Sequence, residues 1–175
     1  MKSPTATSCI SVSPTNKNKN ELMPKTYWED VPLGLTYKTA NHTVTKEEVI
    51  EFASEYDPQP FHLDEEAAKH SILGGLCASG WHTCALAMRL VYDAFLKDAA
   101  ADGSPGVDEV RWRKPLYVGS TVHVNVECID RRPSASKPDR GLVKWRWVME
   151  NQAGDTIMTL ESWVMIRRRA GDDKP

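Results

Sequence analysis

Asp57 and His62 stand five positions apart in Asp57-Pro58-Gln59-Pro60-Phe61-His62, and two prolines remove most of the freedom between them. A carboxylate and an imidazole held at a fixed separation can share a proton or orient a water, the core of general acid–base chemistry. Asp57 also sits at or near the C-terminus of a helix, where the macrodipole disfavours a negative charge by up to ~1 kcal/mol at an exposed site. Resistance to ionisation would suit a group that gives and takes a proton near neutrality, and such breaks of a local rule concentrate at functional sites. The plain alternative is an Asp that opens a turn before proline; His62, so tightly spaced from it, shifts the balance towards chemistry. Asp64 reads differently, because Asp64-Glu65-Glu66-Ala67-Ala68-Lys69 is an N-cap followed by acidic residues in a first helical turn. It belongs to the scaffold. Metal binding by His62, Asp64 and His82 is disfavoured, since their spacing fits no zinc pattern.

The elements that must position this pair follow from periodicity. Thr45-Lys46-Glu47-Glu48 is a capping box, and Val49, Phe52, Ala53 and Tyr56 repeat at three and four, so a helix over Lys46 to Tyr56 delivers Asp57. Pro58 cannot continue it. A short helix near Glu65 to Lys69 comes next, then a small-residue connection with adjacent Gly74 and Gly75, where the backbone must bend or approach something closely. Ser79-Gly80 opens the strongest helix, running to about Lys97, with Ser79 as its N-cap. Its apolar residues, from Trp81 through Leu86 and Leu90 to Phe95, cover most of the circumference, which predicts a buried helix.

A short strand is expected around Thr36 to Val44, and from Val107 onward strands dominate. Val122, Val124 and Val126 alternate with Thr121, His123 and Asn125, which makes His123 a solvent-facing strand residue. Trp145 and Trp147 share one face, Asn151-Gln152-Ala153-Gly154 is a hairpin turn, and Arg131 to Gly141 reads as a polar loop. The last three strands should form an antiparallel meander. A long buried helix with a twisted antiparallel sheet predicts an α+β fold in which the sheet wraps the helix.

The chain has 175 residues and a formal net charge of −2, enough for one domain of roughly 150 residues and a tail. Residues 1–24 are polar, without hydrophobic period, and read as a disordered tail ahead of a single domain over 25–170. No basic run with interleaved aromatics marks a nucleic-acid face, and Arg167-Arg168-Arg169 reads as a solvated strand end. Cys9, Cys77, Cys84 and Cys128 lack paired spacing, no signal-peptide core is evident, and no apolar run could span a bilayer. Reduced thiols, a cytoplasmic location and no nucleic-acid or membrane partner are the expectations.

Three segments in order carry a family likeness: Tyr56-Asp57-Pro58-Gln59-Pro60-Phe61-His62-Leu63-Asp64, Ala78-Ser79-Gly80, and Arg113-Lys114-Pro115-Leu116-Tyr117-Val118-Gly119-Ser120-Thr121-Val122. Together the chain resembles the MaoC-like dehydratases, which include the (R)-specific enoyl-CoA hydratases. The resemblance implies a hot-dog fold, a curved antiparallel sheet around a central helix, usually paired as a homodimer. It implies that Asp57 and His62 flank the water that adds to a trans-2-enoyl thioester. The backbone N–H of Gly80 would bind the thioester oxygen, with Ser79 and Gln59 completing the oxyanion and substrate-binding set. Ser79 stands where the family more often has His, and Gln59 where it usually has Asn. No resident cofactor is implied; coenzyme A or acyl carrier protein enters as part of the thioester substrate. Because charge develops on that oxygen as an enolate forms, the start of a buried helix is a fitting donor site. The leading reading is a hydratase or 3-hydroxyacyl thioester dehydratase, beside a hot-dog thioesterase and a non-catalytic acyl-thioester binding protein.

Overall fold

Alternation of buried and more exposed side chains over most of Thr121–Pro133, Arg140–Asn151 and Thr156–Arg167 builds three long strands. The computed structural model describes residues 26–170, and the tail expected over 1–24 lies outside them. In chain order come β1 (Thr36–Lys38), β2 (His42–Thr43), α1 (Lys46–Tyr56), α2 (Pro60–Leu63), α3 (Glu65–Lys69), α4 (Gly80–Ala94), β3 (Gly106–Trp112), β4 (Thr121–Pro133), β5 (Arg140–Asn151) and β6 (Thr156–Arg167). All pairings are antiparallel, in the order β1-β4-β5-β6-β3, with β2 also on β4. Irregularities at Cys128/Asp130, Met149/Glu150 and Val107/Glu109 locally bend the strands. The result is the curved α+β hot-dog sheet that the resemblance implies.

The concave face carries Val122, Val124 and Val126 of β4, Trp145, Trp147 and Met149 of β5, and Met158 and Leu160 of β6, all buried. Leu86, Ala87, Leu90 and Val91 of α4 complete that core. The helix is not buried all round, however. Trp81, Met88 and Tyr92 are 63%, 49% and 48% exposed, because a single sheet covers only one side of a cylinder. The expectation of a fully buried helix is corrected to a helix with one uncovered apolar face.

Three further expectations change. The strand foreseen over Thr36 to Val44 is interrupted at residues 39–41. The loop foreseen from Arg131 to Gly141 shrinks to residues 134–139, since β4 and β5 stay paired out to Pro133 and Gly141. Arg131 and Arg132 tolerate this extension because their guanidinium carbons lie 3.8 Å and 5.1 Å from the ring centroids of Trp28 and Trp163. The Arg167-Arg168-Arg169 run, in which Arg167 and Arg169 are exposed as expected, is also ion-paired. It pairs with Asp102, Glu29 and Asp30 and ties the end of β6 to the chain entering the domain.

The helix that delivers Asp57 forms as the sequence dictates. Thr45 Oγ1 accepts the Glu48 N–H at 3.2 Å while the Glu48 carboxylate accepts the Thr45 N–H at 3.1 Å. Val49 and Ala53 are fully buried beneath it. Thr45→Ala should cost about 1 kcal/mol, the usual value of such a cap, read as a lower urea midpoint at unchanged m-value. An unchanged midpoint would show that packing alone holds α1.

Candidate active site

Asp57 is the C-cap of α1, and its own N–H bonds to Ala53 O at 3.0 Å. Pro58 stops the helix; Pro60, at the first position of α2, starts the next turn with its φ already set. His62 therefore sits on a four-residue helix rather than in an open turn, and it is 5% exposed. Its Nδ1 lies 2.8 Å from Cys77 O. A carbonyl only accepts, so Nδ1 carries the proton and the Nε2 lone pair is turned to the other side. On that side is Asp57, with Oδ2 3.6 Å from Nε2.

Ser79 is wholly buried and serves two partners with one hydroxyl. Its oxygen accepts the Trp81 N–H at 3.2 Å as the N-cap of α4, and its proton goes to Asp57 Oδ2 at 2.6 Å. Gln59 Nε2 donates to the other oxygen, Oδ1, at 2.7 Å. These bonds correct the expectation that ionisation of Asp57 is resisted. The Ser79 hydrogen bond, above all, holds the carboxyl below the usual Asp range; partial burial works against it, and Gln59 and the charge of a protonated His62 add to the lowering. A dipole at the helix end is outweighed by two donors in contact.

Gly80 is the first residue of α4, where an N–H has no intrahelical acceptor. A glycine at this position lets another group approach the backbone closely. That group is Trp112: a Cβ here would stand 2.6 Å from the Trp112 indole, whose Nε1 donates to Gly80 O at 2.9 Å. Trp112 thus fixes the start of α4 from β3, a role that its place in an alternating strand did not reveal. His62 and Gly80 line a common cavity of about 280 Å³ together with Cys77, Ala78, Thr83, and the segment from Trp112 to Leu116. Asp57, Ser79 and Gln59 do not line it; Asp57 meets it through His62 Nε2. Gln59 is thus joined to the cavity through its hydrogen bond to Asp57.

Other titratable groups near the site are quiet. Burial pushes the Cys77 thiol up to about 11, so it offers no thiolate nucleophile near neutrality. His82 stacks on Phe52 at 4.8 Å, and burial, the leading influence, lowers its pKa. Asp64 caps α3 through Ala67 N–H at 2.8 Å. No group of three or more His, Cys, Asp or Glu side chains among the described residues is arranged to hold a metal ion.

The model of the MaoC like domain matches residues 30–143, which contain the whole of this site. The chain belongs to that family. It is 28% identical over 141 residues to the uncharacterized protein YdeM of Bacillus subtilis (strain 168), covering 80% of this chain and 98% of that protein. A crystal structure of the MaoC-like dehydratase from Rhodospirillum rubrum superimposes with a TM-score of 0.74 at 39% identity, covering 82% of this chain and 98% of that one. The unliganded R-hydratase from Pseudomonas aeruginosa has the same fold, with a TM-score of 0.68 at 19% identity over 82% of this chain and 86% of its own.

Within this MaoC-like chain, Ser79→Ala should remove the donor that holds Asp57 ionised and leave burial less opposed. The Asp57 carboxyl, followed by NMR through acid titration, is expected to titrate at higher pH than in the wild type. Since a lowered native pKa stabilises above the unfolded value and that gain is lost as pH falls through the native one, the variant should also begin to unfold at higher pH. An unmoved Asp57 titration would show that Ser79 does not govern the carboxylate.

Proposed function

We propose that this protein is a hydro-lyase that reversibly adds water to a trans-2-enoyl thioester, giving a 3-hydroxyacyl thioester, with coenzyme A or acyl carrier protein as the carrier. The observation that carries the reading is the 3.6 Å gap between Asp57 Oδ2 and His62 Nε2, two acceptors that face each other when the imidazole is neutral. A water can donate one hydrogen to each, which leaves its lone pairs turned outward. The Asp57 side chain keeps 18% of its surface exposed and His62 7%, so water has access. Membership of a family with a dehydratase among its similar structures supports the same class of reaction.

The two groups divide the work. Asp57, held below the usual range by Ser79 and Gln59, is the weaker base and orients the water. His62 Nε2 takes the proton as the water oxygen bonds to the β-carbon. The electron pair of the double bond moves through the α-carbon onto the thioester oxygen, where the Gly80 N–H, at the positive end of α4, receives the charge. Nε2 then returns its proton to the α-carbon, and the imidazole is neutral again. Dehydration runs the same steps backwards. No resident cofactor takes part, and a cytoplasmic location is part of the proposal.

The proposal includes a homodimer. Trp81, Met88 and Tyr92 line the uncovered side of α4, Trp112 is 49% exposed beside Trp81, and β3 ends the sheet with one edge unpaired. An apolar stripe beside a free edge strand is covered most economically by a second copy of itself. Wild-type protein should sediment at twice 19.6 kDa, and Met88→Arg should sediment as the monomer. A wild-type monomer would remove this part of the reading.

Crotonyl-CoA tests the chemistry: enoyl absorbance should fall without release of free thiol. Asp57→Asn and His62→Ala should each lower that rate by about 10²- to 10⁴-fold in a folded protein, as loss of positioned acid–base groups does. Thiol release would indicate a thioesterase. Tight binding without either signal would indicate a non-catalytic acyl-thioester binding protein.

A further inference from the structure

Arg113 leaves β3 at the cavity shared by His62 and Gly80, and it is exposed. Its main chain is held firmly: the Arg113 N–H donates to Ile157 O at 2.8 Å, Lys114 is salt-bridged to Asp155, and Pro115 restricts the next turn. Its guanidinium has no polar or ring partner. Among the described residues it is the one arginine whose guanidinium meets no carboxylate, carbonyl oxygen or aromatic ring.

The contrast with its neighbours is sharp. Arg111 is taken by Glu109 at 2.9 Å, Lys114 by Asp155, Arg89 by Asp93 at 2.7 Å, and Arg146 by Glu161 at 2.9 Å. A chain with a net charge of −2 has carboxylates to spare, yet none approaches Arg113. A guanidinium offers five N–H donors in a planar fork that matches carboxylate and phosphate oxygens two at a time. Placed free on a rigid main chain at the wall of a cavity lined mostly by apolar residues, it is a ready receptor for an anion that the ligand brings.

We infer that Arg113 binds an anionic oxygen group of the thioester ligand, either a phosphate of the carrier arm or a carboxylate on the acyl chain. This rests on the reading above for the ligand being a thioester, but not for the chemistry of its double bond. A carrier phosphate would make Arg113 a general anchor for every substrate; an acyl carboxylate would make it a selector of dicarboxylic acyl groups.

Calorimetry with saturated thioesters, which cannot be hydrated, separates binding from catalysis. Butyryl-CoA, glutaryl-CoA and butyryl-pantetheine, the last without phosphates, would be titrated into the full-length wild type and Arg113→Gln. The variant should bind at least one of the two coenzyme A thioesters about tenfold or more weakly, the usual loss for a charge-assisted hydrogen bond, and butyryl-pantetheine unchanged. Equal weakening for both coenzyme A thioesters assigns Arg113 to phosphate; weakening confined to glutaryl-CoA assigns it to the acyl carboxylate. Equal affinities in wild type and variant, equal weakening of all three ligands, or no binding by the wild type would overturn the inference. Normal wild-type binding combined with no hydration of crotonyl-CoA would sink the proposed reaction and leave the Arg113 assignment standing.

Discussion

The hydroxyl of Ser79 has one proton, and its direction organises the site. Sent to Asp57 Oδ2 at 2.6 Å, it joins the end of α1 to the start of α4, two helices that the chain separates by more than twenty residues. The oxygen that gives this proton accepts the Trp81 N–H, so the same atom caps α4. A rotation of Ser79 cannot satisfy one partner and abandon the other without leaving a buried polar group unpaired, which costs ~1–3 kcal/mol. Asp57 is thereby held in one orientation by a residue that is itself wholly buried.

The second oxygen is fixed from the other side. Gln59 reaches back two residues and donates to Oδ1 at 2.7 Å. With both oxygens engaged by donors, the carboxylate is stabilised as an anion and loses basicity. The histidine is arranged oppositely, its Nδ1 proton committed to Cys77 O and its Nε2 lone pair uncommitted. Two titratable groups five residues apart thus stand in opposite hydrogen-bonding environments because their partners differ.

Much of this was readable from residues. The capping box at Thr45, the halt at Pro58, the Asp64 cap and the start of α4 at Ser79 are local events, set by side chains three or four positions apart, and the structure matches each. The alternation of β4 to β6 is equally local and predicted the meander. What the sequence did not disclose depends on distant partners. Nothing near Asp57 announces that Ser79 will donate to it, and the helix dipole alone pointed the wrong way for its ionisation. Nothing near Gly80 announces Trp112, thirty-two positions on, as the group that forbids a side chain there. The apolar circumference of α4 was visible, but composition could not separate cover by its own sheet from cover by another molecule.

Trp112 connects these two gaps. Its indole holds Gly80 O, its ring meets the Trp81 ring edge to face at 5.7 Å, and its strand ends the sheet with an unpaired edge. The residue that positions the first turn of α4 therefore stands on the surface proposed above for a second copy. A partner seated there would bury the Trp81–Trp112 pair and lower the dielectric beside the Gly80 N–H, where a hydrogen bond to a developing oxyanion gains most from the loss of water. It would also restrict Trp112, and through it the carbonyl that anchors the helix start. Association and catalysis would then be coupled through one indole: a surface change that splits the pair should weaken transition-state binding even though Asp57, His62 and Ser79 keep every contact they have within one chain.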